Sequence, residues 1–330
     1  MIKTLLAAIC LAFMFGRTVR LLLGALSLVL TCSAMADDHP RVDANKISNQ
    51  TAKSSIAANS GSNSEFAQFP EKIESKYLVF YSAIPHAQLQ AYAHFADMFL
   101  DAVNRDFIQL RVPRKINAIV LPTKDEFQRY LIQQQHISNP PGFGIFLPQK
   151  NLFVTYDGSG LGTFAHEIMH SFVENQLPAR PSWAAEGIPT FFEKFYGYEE
   201  EGKLHLKWGF QNPWRIAALG DGIPKLKMIR IMYGSEDESE QRLLSVFLYQ
   251  RGKLKTFLQL IQAGDKKGFR TYVEAAFNKP MYDIEDEWRA YLNSVNAKRE
   301  QIAKLPASLY FQSAQEFASF EAQNLIDLNN

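Results

Sequence analysis

Cysteine is almost missing from this chain. In 330 residues only Cys10 and Cys32 carry a thiol, and both lie in the first 36. Beyond that stretch there is no disulfide framework to staple a fold, and a bound metal has only histidine nitrogens and carboxylates to hold it. Net charge is nearly missing too: 35 Lys and Arg stand against 34 Asp and Glu, a formal charge of +1. Without a basic excess or an acidic tail, the chain has no electrostatic footprint for nucleic acid. No internal repeat is visible either. The length suffices for one large domain or two small ones with a substantial apolar core.

What is present begins with a leader. Two apolar runs, Leu5 to Phe15 and Leu21 to Leu30, are separated by Arg17 and Arg20, and the second ends in Ser33-Ala34-Met35-Ala36 before Asp37-Asp38. A basic flank, a short apolar run and a small-residue cleavage site are the layout of a secretory signal peptide over residues 1–36. Met14 stands just ahead of the two arginines and is the expected start of translation. The apolar run is too short to cross a bilayer comfortably. A periplasmic or secreted protein is therefore expected, with membrane attachment only through the leader if it stays uncleaved. Residues 37–70 centre on Ser60-Gly61-Ser62-Asn63-Ser64 and show no hydrophobic period, so they read as a disordered linker.

Order is expected from about Lys76. Tyr77 to Tyr81 is β-branched and aromatic, a strand. Pro85 opens a helix in which Leu89, Ala93, Phe95, Ala96, Phe99, Leu100 and Val103 recur near helical spacing. Ile116 to Leu121 reads as a second strand, and Lys124 to Gln134 as a short helix with Phe127, Tyr130 and Leu131 on one face. After the Pro-Pro-Gly turn at 140–142, Gly144 to Leu147 and Asn151 to Tyr156 read as the strands of a hairpin. The second half reads almost wholly helical. The expected fold class is α+β, with an α+β lobe at 71–200 and a helical lobe at 201–330.

One segment carries chemistry: Thr163-Phe164-Ala165-His166-Glu167-Ile168-Met169-His170-Ser171-Phe172. Two histidines four residues apart share one helix face, so both imidazoles reach a single ion. Zinc accepts histidine nitrogen at about 2.0–2.1 Å, and a catalytic site keeps three protein ligands and a water. Glu167 follows the first histidine and is placed to take a proton from that water as general base. The uncharged flanks suit a buried helix. One Zn2+ ion is thus the expected cofactor, and a third ligand is required. No third histidine follows at short spacing.

After a proline-marked loop comes Pro181-Ser182-Trp183-Ala184-Ala185-Glu186-Gly187-Ile188-Pro189-Thr190-Phe191-Phe192-Glu193. Here the chain resembles the gluzincin metallopeptidases, in which a second helix entered through Trp-x-x-Glu-Gly brings a glutamate to the zinc. The order of strands, hairpin, His-Glu helix and Glu-Gly helix looks most like the peptidase-MA-like proteins, over roughly Lys76 to Gly264. The resemblance implies a zincin-like fold, a small mixed or antiparallel sheet with an active-site helix. It also implies Glu186 as third ligand and a peptide or protein as substrate. It implies an oxyanion donor from the helical lobe, for which Tyr233 is the first choice, although relatives often offer a tyrosine where this chain has Glu238 or Ser239. It makes Asn151 to Tyr156 an edge strand that pairs with an extended peptide, with Asn151, Phe153 and Thr155 touching substrate. An ordinary core strand is the alternative there. Glu193 either orients a ligating histidine or is a surface or capping glutamate.

Other signals carry less. Asp157-Gly158-Ser159-Gly160-Leu161-Gly162 has the wrong glycine spacing for a nucleotide turn and reads as a flexible approach to the helix. His86, His94, His136 and His205 lack ligand spacing. Glu236 to Glu240 reads as a solvated loop and helix start, with calcium binding as the lesser option. The function expected is that of an exported zinc metallopeptidase. The rival is a non-catalytic, zinc-containing envelope protein, against which the presence of Glu167 speaks.

Overall fold

The computed structural model describes residues 65–264 and 269–325; the expected leader, and the expected linker as far as residue 64, lie outside the described residues. Alternation builds the first half. Strand β1 (Glu71–Glu74) pairs antiparallel with β2 (Leu78–Ser82), in which Leu78, Phe80 and Ser82 are buried and the residues between them are half-buried. Pro85 then begins α1 (His86–Asp106), which buries ten residues from Leu89 to Val103. Strand β3 (Ile116–Leu121) follows, then α2 (Lys124–Gln134), started by Thr123, whose hydroxyl accepts the Glu126 N–H at 3.2 Å. Strands β4 (Gly144–Leu147) and β5 (Leu152–Tyr156) close a five-stranded mixed sheet in the order β1-β2-β3-β5-β4. Parallel β2, β3 and β5 fill the middle and antiparallel β1 and β4 form the edges.

The sheet is covered on both faces. Leu78, Phe80, Ala118, Val120 and Phe153 join the main core with α1 and the next helix, α3 (Leu161–Gln176). Ile119, Leu121, Leu152, Val154 and Tyr156 face the other way, against Phe127, Tyr130 and Leu131 of α2. Every residue of β5 is therefore buried, as a two-sided central strand requires.

The remaining elements are mostly helical. After α4 (Ala184–Phe192) come β6 (Tyr196–Glu200) and β7 (Lys203–Lys207), then α5 (Pro213–Leu219), α6 (Met228–Gly234) and α7 (Glu238–Gln250). They are followed by α8 (Leu254–Gln262), α9 (Phe269–Phe277), α10 (Met281–Ala297), α11 (Arg299–Ile302), β8 (Leu309–Phe311) and α12 (Ala314–Asn324). Twelve α-helices and two small mixed sheets among the described residues make an α+β fold. No helix among them is long and apolar enough to cross a membrane.

Three expectations need correcting. The end of the expected linker is structured: Phe66 stacks on Tyr81 at 4.1 Å, and Lys150 pairs with Glu65 at 2.8 Å. The apolar rings decide this, because Phe66 and Phe69 cover the outer face of the sheet. The second half also contains strands, with β6 at the centre of a β7-β6-β8 sheet. Strand β7 does alternate, as Lys-Leu-His-Leu-Lys, but all three strands are five residues or fewer. Finally, the boundary expected after residue 200 falls inside the β6–β7 hairpin, and buried residues from Leu78 to Leu325 form one cluster across it.

Helix α4 packs against α7 at Gly187. A Cβ on Gly187 would stand 2.9 Å from the Trp183 ring, 3.0 Å from the Gln241 carbonyl oxygen and 3.1 Å from Ser245 Oγ. Gly187→Ala is expected to lose about 1–3 kcal/mol of stability by overpacking. The urea midpoint should fall at constant slope; an unchanged midpoint would mean the two helices separate freely.

Candidate metal centre

Two helices meet at the centre, and each is fixed by its apolar face. Gly160, at φ 90°, turns the chain out of β5 into α3. Phe164, Ala165, Ile168, Met169, Phe172 and Val173 of α3 enter the core, leaving His166 and His170 on a face where their side chains keep 12% and 14% exposure. Helix α4 is anchored by Trp183, which is 1% exposed and stacks on Phe257 at 5.3 Å. That anchor delivers Glu186 in the first turn of α4.

The three side chains converge. His166 Nε2 and His170 Nε2 are 2.9 Å apart, and Glu186 Oε2 stands 3.6 Å from the first and 3.3 Å from the second. Tetrahedral ligands at about 2.0–2.1 Å from a zinc ion are separated by about 3.3–3.4 Å. The observed triangle brackets that edge, and two imidazoles with one carboxylate are a zinc donor set. Among the described residues no other group of three His, Cys, Asp or Glu side chains converges this way. Burial opposes charge on His170, but Glu186, Glu167 and Glu238 outweigh it and hold its pKa up at about 9. Burial likewise opposes charge on Glu186, and His170, His166 and Arg215 bring it well below the usual carboxylate range.

Glu167 sits beside the triad at 6% exposure. Burial raises its pKa, Glu186 and Glu238 raise it further, and the two histidines oppose them. Strand β4 runs directly over it: a Cβ on Gly144 would lie 2.6 Å from Glu167 Cγ and 2.8 Å from its Oε1. Glycine is what lets an edge strand pass this close to the carboxylate.

Glu193 follows the last turn of α4 and is buried, not on the surface. Its Oε2 lies 3.4 Å from His166 Nδ1, an electrostatic contact longer than a good hydrogen bond. Arg215 of α5 grips the same carboxylate through Nε at 2.5 Å and Nη2 at 2.8 Å, and Asn212 Nδ2 donates to it at 2.8 Å. Arg242 approaches to 3.8 Å. Burial alone would raise the Glu193 pKa; Arg215, His166 and Arg242 overcome it and hold the group far below its ordinary range. Arg215 Nη1 also donates to Glu238 Oε2 at 2.9 Å, which ties the start of α7 to the centre.

The edge-strand expectation is overturned. Strand β5 lies between β3 and β4, so it has no free edge. Phe153 is fully buried against Phe164 at 5.2 Å, Thr155 Oγ1 donates to the Phe143 carbonyl at 3.0 Å, and Asn151 Nδ2 donates to the Lys115 carbonyl at 3.0 Å. All three build the scaffold, and β4 is the edge. Tyr233 stands near the end of α6 with 58% exposure. Glu238, at the start of α7, acts electrostatically on both Glu167 and His170 and raises the pKa of each. The acidic run does start a helix, Asp237 capping α7, but it is not wholly solvated: Glu240 is buried against Ser235 at 2.6 Å. Gly144, Asn212, Arg215 and Arg242 were not anticipated; each is isolated in sequence and gains meaning only from its neighbours in space. Compared with models of known protein families and with curated proteins, the chain matches none.

Two consequences can be measured. Gly144→Ala should lose about 1–3 kcal/mol, and most of the loss should vanish in a Glu167→Ala background, where the clashing atoms are gone. Additive losses in that double-mutant cycle would refute the close approach. Glu193→Gln leaves Arg215 without its buried partner and should cost about 3–5 kcal/mol near neutrality. Because the folded pKa of Glu193 is lowered from 4.5, its contribution is present above that value and lost as pH falls below it. The stability gap between wild type and Glu193→Gln should therefore narrow on acidification from about pH 5 to about pH 3.

Proposed function

We propose that this protein is an exported, zinc-dependent metallopeptidase with a zincin-like fold, hydrolysing peptide bonds with Glu167 as general base. The observation that carries the reading is the convergence of His166, His170 and Glu186 with Glu167 buried beside them under an edge strand. Zinc held by those three side chains supplies a Lewis acid and a water of lowered pKa.

The chain's own residues account for the rest of the chemistry. Glu167, with its pKa raised by burial, is suited to take a proton from the attacking water and return it to the leaving amine. Strand β4 pairs only with β5 within its sheet, so an extended peptide can add to its outer side by main-chain hydrogen bonds and pass across Glu167. Glu193 orients His166, and Arg215 neutralises the carboxylate that does so. The resemblance implies a Tyr or His oxyanion donor from the helical segments, for which Tyr233 is the candidate. The expected location, periplasmic or secreted, follows from the leader.

The test is zinc content and hydrolysis of a quenched-peptide library, side by side for wild type, Glu167→Ala and Glu186→Ala. Wild type should bind one zinc and cleave. Glu167→Ala should keep its zinc and lose about 10²–10⁴-fold in rate, while Glu186→Ala should lose most of its zinc. A wild type that binds zinc and cleaves nothing would favour the non-catalytic envelope protein instead.

A further inference from the structure

The C-terminal segment reaches back to the metal centre from more than a hundred residues away. Ser308 Oγ donates to the Glu193 carbonyl oxygen at 2.6 Å and accepts the Phe195 N–H at 3.2 Å. Lys194 Nζ and the Tyr196 hydroxyl both donate to the Pro306 carbonyl, the latter at 2.8 Å. Strand β8 then pairs in parallel with β6, placing Leu309, Tyr310 and Phe311 opposite Tyr196, Gly197 and Tyr198. Every residue from Glu193 to Tyr198 is thus held by residues 306–311.

The contact falls where α4 ends. The last carbonyls of a helix have no partner within it, and Ser308 supplies one to the residue whose carboxylate faces His166. Helix α3 abuts the same carbonyl: a Cβ on Gly162 would collide with the Glu193 oxygen and lie 3.4 Å from Ser308 Oγ. Gly162 is one turn ahead of His166. The helix carrying both histidines, the end of the helix carrying Glu186, and the C-terminal segment therefore meet at one carbonyl group. Rings seat the segment, with Tyr310 on Phe95 at 5.8 Å, Phe320 against Tyr196 at 5.1 Å and Phe317 against Tyr198 at 5.7 Å.

We infer that residues 306–311 form a strap that sets the geometry of the metal centre through Glu193, with Ser308 as its positioning residue. The inference rests on the proposed zinc site. Ser308 touches neither ligand nor reacting atom. It fixes the backbone of Glu193, which fixes the carboxylate that aligns His166.

Zinc affinity by chelator competition in the full-length protein, together with urea unfolding, tests this. Outer partners of a ligating histidine contribute about 10–100-fold to metal affinity, so Ser308→Ala should weaken zinc about tenfold and Ser308→Thr, which keeps the hydroxyl, should restore it. Phe127→Leu, on the opposite face of the sheet, serves as a control that destabilises without touching the strap and should leave affinity unchanged. Tyr196→Phe removes the hydroxyl bonded to Pro306 and should weaken zinc in the same direction, which covers the case of Ser308→Ala failing to fold. Equal affinity in wild type, Ser308→Ala and Tyr196→Phe overturns the strap and leaves the peptidase reading standing. A wild type that binds no zinc overturns both.

Discussion

A carboxylate buried at the end of α4 organises this molecule. Glu193 has almost no access to water, and an isolated charge in that setting is strongly disfavoured. The fold answers with Arg215 from α5, Asn212 just before it and Arg242 from α7. Each of those residues is itself buried, so α4, α5 and α7 can dock only in the arrangement that brings the charges together. The cluster has little slack. Arg242 carries nitrogens without a hydrogen-bond partner, and burial pulls its pKa down to about 10.

The proposed metal centre inherits its geometry from that cluster. Helix α3 brings two imidazoles by its own periodicity, yet their rings need an outer partner to fix their orientation. Glu193 faces His166, Arg215 links Glu193 to Glu238, and Glu238 acts on His170 and Glu167 through space. Close backbone contacts supply the remaining constraints. Gly144 admits the edge strand over Glu167, and Gly187 admits α7 against α4. Aromatic packing around Phe95, Phe99, Phe107, Phe191, Phe192 and Trp208 fills the space behind α4 and leaves it little room to shift.

Much of the first half was legible because its signals are local. The bounds of β3 and β4 follow from short apolar runs, and those of α2 from Phe127, Tyr130 and Leu131 recurring on one helix face. The sharing of one face by His166 and His170 follows from helical spacing alone. The small sheet was missed although β7 alternates polar and apolar residues, because its strands are short and set among helices. Strands β6 and β7 read Tyr-Gly-Tyr-Glu-Glu and Lys-Leu-His-Leu-Lys, and β8 is three residues long. They are strands because they pair with each other, a non-local cause.

The same division separates two kinds of knowledge about this protein. The amino-acid sequence by itself determined that His166 and His170 share one helix face, and that beyond residue 36 only histidine and carboxylate side chains are there to serve the proposed metal site. Side-chain chemistry and helix periodicity travel with the residues and need no fold to be read. Tertiary structure alone decided that β4 and not β5 is the edge, because sheet order depends on which strands pair across the chain. It alone decided that Glu193 faces inward, that Arg215 meets it, and that Ser308 closes the turn behind it. Those contacts join residues 22 and 115 positions apart, and no local pattern encodes a distance that only the packing of helices creates.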